Sequence, residues 1–236
     1  MKSRLIVAAF LLSAPFVLAK EPGVQGPQLK YLNPADVAAE TLLPPPVADG
    51  SPQQKGELAE LQGLAKSRTG ARLEQARFDD VTIDGRIFQS AVQGFEIANL
   101  PATAALLQTV KREANTVSHA AKEHFDRKRP YEFDASLNVC SQHRGKNATY
   151  PSGHTTMGFA MAVILAHLMP ERASSLMSRA QSYGESRMMC GVHYRSDVVA
   201  GQVIGTSVAL ALLQNPQFHA DMVAAKAELV AAGLTK

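Results

Sequence analysis

The sequence predicts an all-α domain, and three observations carry that expectation. Apolar residues recur at helical spacing through most of the chain beyond residue 52. Pro52, Pro101 and Pro170 stand where a helix can begin, because a first-turn proline gives up no intrahelical hydrogen bond. No stretch alternates polar and apolar residues long enough to make a strand. With 236 residues, 46% hydrophobic and 19% charged, the chain can bury the core of one sizeable domain.

The elements follow in order. Met1-Lys2-Ser3-Arg4, the apolar run Leu5 to Leu18 and then Ala19 read as a secretory signal peptide, residues 1–19, cleaved after Ala19. The run is short for a membrane span, and an uncleaved anchor is the alternative. Residues 20–52, rich in proline and including Pro44-Pro45-Pro46, read as an extended arm docked through Tyr31, Leu32, Leu42 and Leu43. The helical domain is then 53–236. Its helices are expected over Pro52 to Arg68, over 72–80, after Asp84 through Ile87, Phe88, Ala91, Val92 and Phe95, and from Pro101 to Arg129. Pro130 ends that long helix, since a residue before proline is pushed out of the α region. Residues 131–150 read as a loop. Further helices are expected from Gly153 to Met169, from Glu171 to Met189, from Tyr194 to Leu213, and over 216–232.

Charge excludes some partners. Losing Lys2 and Arg4 with the leader lowers the formal charge from +3 to +1, which leaves no electrostatic footprint for nucleic acid or an anionic membrane. The apolar segment Val198 to Leu213 contains Gln202 and two glycines and falls short of the roughly 20 residues a membrane helix needs. Cys140 and Cys190, in an exported chain, are a candidate disulfide, with two buried free thiols as the alternative. Their spacing does not resemble a zinc site, and no metal or other cofactor is expected. His119, His124, His143, His167 and His219 form no metal-ligand pattern; His167 reads as a core residue, and His119 and His124 as surface.

Three segments carry residues that folding could bring together. Lys122 and Arg129-Pro130 lie seven residues apart, two helical turns, so both cations could face one way; taken alone the segment, with Arg127 and Lys128 beside them, reads as a solvated basic face. Tyr150-Pro151-Ser152-Gly153-His154 opens a helix whose unpaired N–H groups suit an anion, with His154 in its first turn. Ser186-Arg187 is followed by His193 and, four residues on, Asp197, which can reach one imidazole nitrogen and leave the other free to attack. Phosphoryl transfer needs fixed cations and N–H donors around the equatorial oxygens, an in-line nucleophile, and an acid for the leaving oxygen. Every role has a candidate here.

In order and spacing these segments resemble the three-part signature of the type 2 phosphatidic acid phosphatase superfamily, which includes the vanadium haloperoxidases. The resemblance is closest to the secreted bacterial class A non-specific acid phosphatases, also through Leu42-Leu43-Pro44-Pro45-Pro46 and Cys190-Gly191-Val192-His193-Tyr194-Arg195-Ser196-Asp197. It implies a single helical domain of that type and a periplasmic, metal-independent phosphomonoesterase of broad range. The implied site has His193 as nucleophile, Asp197 orienting it, His154 as acid, and Lys122, Arg129, Ser152, Gly153 and Arg187 holding phosphate. Phosphate transfer to other alcohols and a homo-oligomer are options by analogy only. Tyr194, where members often carry Trp, and Ala148-Thr149, where they carry Gly-Ser, depart from the pattern at positions expected to line the approach to phosphate. A vanadate-dependent haloperoxidase and a non-catalytic exported phosphate-binding protein are the competing readings.

Overall fold

A computed structural model describes residues 29–141 and 148–236; the expected signal peptide, the first part of the arm and His143 lie outside the described residues. Those residues contain helices and turns and no strand. The helices are α1 (Ala39–Leu42), α2 (Pro52–Ser67), α3 (Gly70–Val81), α4 (Pro101–Phe125), α5 (Pro130–Phe133), α6 (Gly153–Leu168), α7 (Ala173–Met189), α8 (Arg195–Gln214) and α9 (Pro216–Ala231).

At the centre lies α6, apolar on nearly every face, packed between α8, α7 and α4. Met157, Ala160, Met161, Ile164 and Leu165 are all buried there, as a helix hydrophobic all round must be. The approach of α8 is set by glycine. A Cβ on Gly201 would lie 2.7 Å from the Ser152 carbonyl oxygen, and one on Gly205 would lie 2.3 Å from that of Thr156. Only a missing side chain permits that spacing. It brings Asp197, in the first turn of α8, against the start of α6, where the Asp197 carbonyl accepts from the Ser152 N–H at 2.9 Å.

The described part of the arm is docked, as its apolar residues predict. Leu32 and Leu43 are buried and Tyr31 packs edge-on against Phe218, whereas Leu42 is exposed. The buried Glu113 carboxylate of α4 accepts from the Lys30, Tyr31 and Leu32 amides and fixes the arm's entry. Cys140 and Cys190 form a disulfide that ties the segment after α5 to the end of α7. Closing a loop of 50 residues is worth about 4 kcal/mol in the chain-entropy model.

Several expectations need correction. The helix expected after Asp84 is a 3-10 turn over Gly85–Phe88 followed by tight turns that include Gly94 at φ +81°. Ile87, Phe88, Val92 and Phe95 are buried all the same, so the spacing reported burial without helix. The long helix stops at Phe125, because Asp126 takes a left-handed conformation at φ 41°, so Lys122 and Arg129 do not share two helical turns. Residues 130–133 form a single helical turn within the expected loop, and Pro170–Arg172 form a 3-10 turn before α7. His167 is exposed rather than in the core, since its face of α6 reaches the surface near the helix end. By length and composition α8 can cross a membrane, contrary to the expectation from Gln202 and the glycines; half of its apolar window is buried inside the domain.

Candidate active site

One cavity of about 260 Å³ is lined by Lys122, Arg129, Gly153, His154, Arg187 and His193, with Ile83, Asn115, His119 and Met157 completing its wall. The structure therefore brings together residues from α4, the segment after it, the start of α6, the end of α7 and the loop before α8. His119 is exposed, as expected, yet reaches the cavity wall.

The cations arrive by different routes. Lys122 comes from the last full turn of α4, and its Nζ donates to the Ala148 and Thr149 carbonyls at 2.6 and 3.1 Å. Burial, then the neighbouring Arg129 charge, lower its pKa to about 7. Arg129 is extended (φ −74°, ψ 154°), as Pro130 demands, and this swings its guanidinium back to the cavity. Its Nη1 donates to the Val192 carbonyl at 2.8 Å and lies 3.1 Å from His193 Nε2. Arg187, buried on α7, pairs with the Asp80 carboxylate, while its Nε has no partner among the described residues.

Ser152 caps α6 through its hydroxyl, which accepts from the Thr155 amide at 3.4 Å and the Thr155 hydroxyl at 2.9 Å. Its own amide is committed to the Asp197 carbonyl. The N–H groups at this helix start that are open to an anion are thus those of Gly153 and His154, for which no acceptor is found among the described residues. Ser152 itself is fully buried and contributes through its cap.

The two histidines differ in their fixing. His154 Nε2 lies 3.2 Å from the Asp80 carbonyl, an acceptor only, so Nε2 keeps its proton and Nδ1 is the nitrogen that titrates. Burial, then Arg187, push its pKa well below the usual imidazole value. Burial also lowers His193, with Arg129, Lys122, Arg187 and His154 adding to the effect, so its resting form is neutral. Arg129 can only donate, which makes His193 Nε2 the acceptor and places the ring proton on Nδ1. Asp197 is 3.5 Å from that nitrogen, a loose contact, with the Thr149 hydroxyl between them at 2.9 and 2.7 Å. Burial raises the Asp197 pKa, opposed by Arg127, Thr149 and the Tyr194 amide.

Four residues here escaped the sequence reading or were misplaced by it. Arg127, expected on a solvated face, is buried and donates to Asp197 at 2.6 Å and Glu57 at 3.0 Å, with its guanidinium 4.0 Å above the Tyr194 ring. Asp80 grips Arg187 with its carboxylate and His154 with its carbonyl, but a lone acidic pair at a helix end carries no sequence signal. Thr149 and Tyr194 are fully buried behind His193 and line no approach to the cavity. Among the described residues no group of His, Cys, Asp and Glu is placed to hold a metal ion.

Comparison with known proteins gives the family. The PAP2 superfamily model matches residues 102–220, which include every cavity cation and both histidines. A non-specific acid phosphatase of Providencia stuartii is 33% identical over 86% of this chain and 85% of the relative. That of Salmonella typhimurium is 33% identical over 97% of this chain and 93% of the relative. In fold the chain is similar to a bacterial vanadium-dependent iodoperoxidase, with a TM-score of 0.58 at 17% identity, covering 76% of this chain and 53% of the other. The chain belongs to the PAP2 superfamily, among its bacterial non-specific acid phosphatases, and is a phosphoric monoester hydrolase.

Proposed function

We propose that this acid phosphatase hydrolyses phosphate monoesters of broad range through a covalent phosphohistidine on His193, without a metal, and that it works in the periplasm after loss of residues 1–19, with arm 20–52 and domain 53–236 as the mature chain. The observation that carries the reading is the shared cavity, in which one histidine offers a lone pair on Nε2 and another a titrating Nδ1, among three cations.

The substrate phosphate is held by Lys122, Arg129, Arg187 and the Gly153 and His154 amides. A phosphate oxygen on Arg129 draws that guanidinium off His193 Nε2 and releases the lone pair. Nε2 then forms a bond to phosphorus as the ester P–O bond breaks, and His154 gives its Nδ1 proton to the departing oxygen. In the second step water attacks phosphorus, its proton returns to His154 Nδ1, the N–P bond breaks and inorganic phosphate leaves. Because burial, and then the Arg187 and Arg129 cations, hold His154 below the usual imidazole pKa, its acid form is favoured as pH falls, which favours turnover on the acid side. A bound phosphate dianion offsets the same cations and raises the proton affinity of His154 in the complex.

The test is phosphate release from a chromogenic monoester at mildly acid pH, with and without chelator. Chelator-resistant turnover, inhibited by vanadate and lost in His193→Ala, is expected. Loss with chelator, or full turnover in His193→Ala, overturns the mechanism, and no turnover at all with tight phosphate binding identifies a binding protein. His154→Ala should spare an aryl phosphate with a good leaving group far more than an alkyl phosphate.

A further inference from the structure

Thr149 touches four elements of the site at once. Its amide donates to the Arg127 carbonyl at 2.8 Å, and its carbonyl accepts from Lys122 Nζ at 3.1 Å. Its hydroxyl lies 2.9 Å from His193 Nδ1 and 2.7 Å from Asp197 Oδ2, in a fully buried position. The direction of each bond follows from proton counting. Arg129 has only donors, so its 3.1 Å contact makes His193 Nε2 an acceptor, and the neutral ring must carry its proton on Nδ1. Thr149 Oγ1 therefore accepts from Nδ1. Its single proton goes to Asp197 Oδ2 at 2.7 Å, in preference to the Val192 carbonyl at 3.4 Å.

The geometry points to Thr149 as a positioning residue for the nucleophile: its hydroxyl relays His193 Nδ1–H to Asp197 and holds His193 in the tautomer whose Nε2 is free to attack. Direct contact between Asp197 and His193 is 3.5 Å, too long to do this alone. The opposite face of Asp197 is closed by Arg127 at 2.6 Å, and Oδ2 also takes the Tyr194 amide at 2.8 Å, so the carboxylate is not free to swing toward the ring. As Nε2 bonds to phosphorus the ring becomes cationic, and the relay carries the Asp197 charge to it. This rests on His193 being the nucleophile.

Thr149→Val keeps the shape and deletes the hydroxyl, whereas Thr149→Ser keeps the hydroxyl. Long-range proton–nitrogen NMR on histidine-labelled protein, with His193 assigned by difference from His193→Ala, reads the tautomer directly. Nδ1–H is expected in the wild type and in Thr149→Ser, and a mixed or Nε2–H ring in Thr149→Val. Loss of one hydrogen bond to a charged group lowers kcat about 10- to 100-fold in Thr149→Val, with KM little changed and Thr149→Ser close to wild type. An Nε2–H ring in the wild type overturns the relay, as does wild-type kcat in Thr149→Val, or a Thr149→Ser variant as slow as Thr149→Val. If Thr149→Val does not fold, the wild-type tautomer and the Thr149→Ser rate decide. Full turnover in His193→Ala would sink the nucleophile reading, whereas an inactive His193→Ala beside a fully active Thr149→Val sinks the relay alone.

Discussion

Replacing Arg127 with Met removes the cation that holds two buried carboxylates while keeping an apolar body against the Tyr194 ring. In the native protein Nη1 donates to Asp197 at 2.6 Å and to Ser196 Oγ at 2.7 Å, and Nη2 to Glu57 at 3.0 Å. The Asp197 side chain is 0% exposed and that of Glu57 10%, so neither charge gains water when its partner goes. Breaking a buried pair from one side costs about 3–5 kcal/mol, a large share of the roughly 5–15 kcal/mol that holds a domain together. The sign with pH follows from Asp197. Without Arg127 its folded pKa moves further above the unfolded value, so the folded state binds a proton that the unfolded state has lost. Stability of the variant then falls as pH rises above the unfolded carboxylate pKa, and its deficit is larger at about pH 7.5 than at about pH 4.5. Guanidinium unfolding with the Cys140–Cys190 bridge intact, followed by circular dichroism at both pH values, measures this. Adding Asp197→Asn to Arg127→Met should recover part of the loss, because the orphaned charge is gone. A deficit below about 1 kcal/mol, the worth of an exposed ion pair, or one equal at both pH values, would refute a buried pairing role.

Lys122 titrates near pH 7, so substrate KM should rise as pH climbs through that value and the ammonium loses its charge. Lys122→Arg should flatten that limb, because guanidinium stays protonated; parallel KM profiles for the two proteins would exclude Lys122 as its source. Gly205→Ala places a Cβ 2.3 Å from the Thr156 carbonyl oxygen and should cost about 1–3 kcal/mol or more, lowering Tm by several degrees. Gly63→Ala, with nothing within 4 Å on α2, should instead raise Tm slightly, and equal shifts in the two variants would contradict close packing of α6 on α8.

Much of the fold was legible because its causes are local. Pro52 and Pro101 each open a helix as expected, Pro170 opens a 3-10 turn that leads into α7, and the apolar stripe of α4 faces the core. The failures have two causes. Spacing of apolar residues reports which side chains are buried, and after Asp84 tight turns with Gly94 bury them equally well. The length of α4 was misjudged because Pro130 bars helix only at Arg129, while the actual stop is the left-handed Asp126, which has no comparable sequence mark.

The candidate site divides the same way. Residue type and order, with the resemblance they carry, named its candidates: Lys122, Arg129, Ser152, Gly153, His154, Arg187, His193 and Asp197 stood as a set, and Lys122, Arg129, Gly153, His154, Arg187 and His193 line one cavity. Tertiary structure alone decided how they are wired. That the Ser152 amide is spent on Asp197, that Arg127 lies over the Tyr194 ring, that Asp80 grips both Arg187 and His154, and that Thr149 stands between His193 and Asp197 are contacts across 44 to 107 residues of chain or between residues of common type. Chemical capacity belongs to a side chain and can be read from its letter, whereas a hydrogen bond depends on distance and angle, which exist only once α6, α7 and α8 have packed.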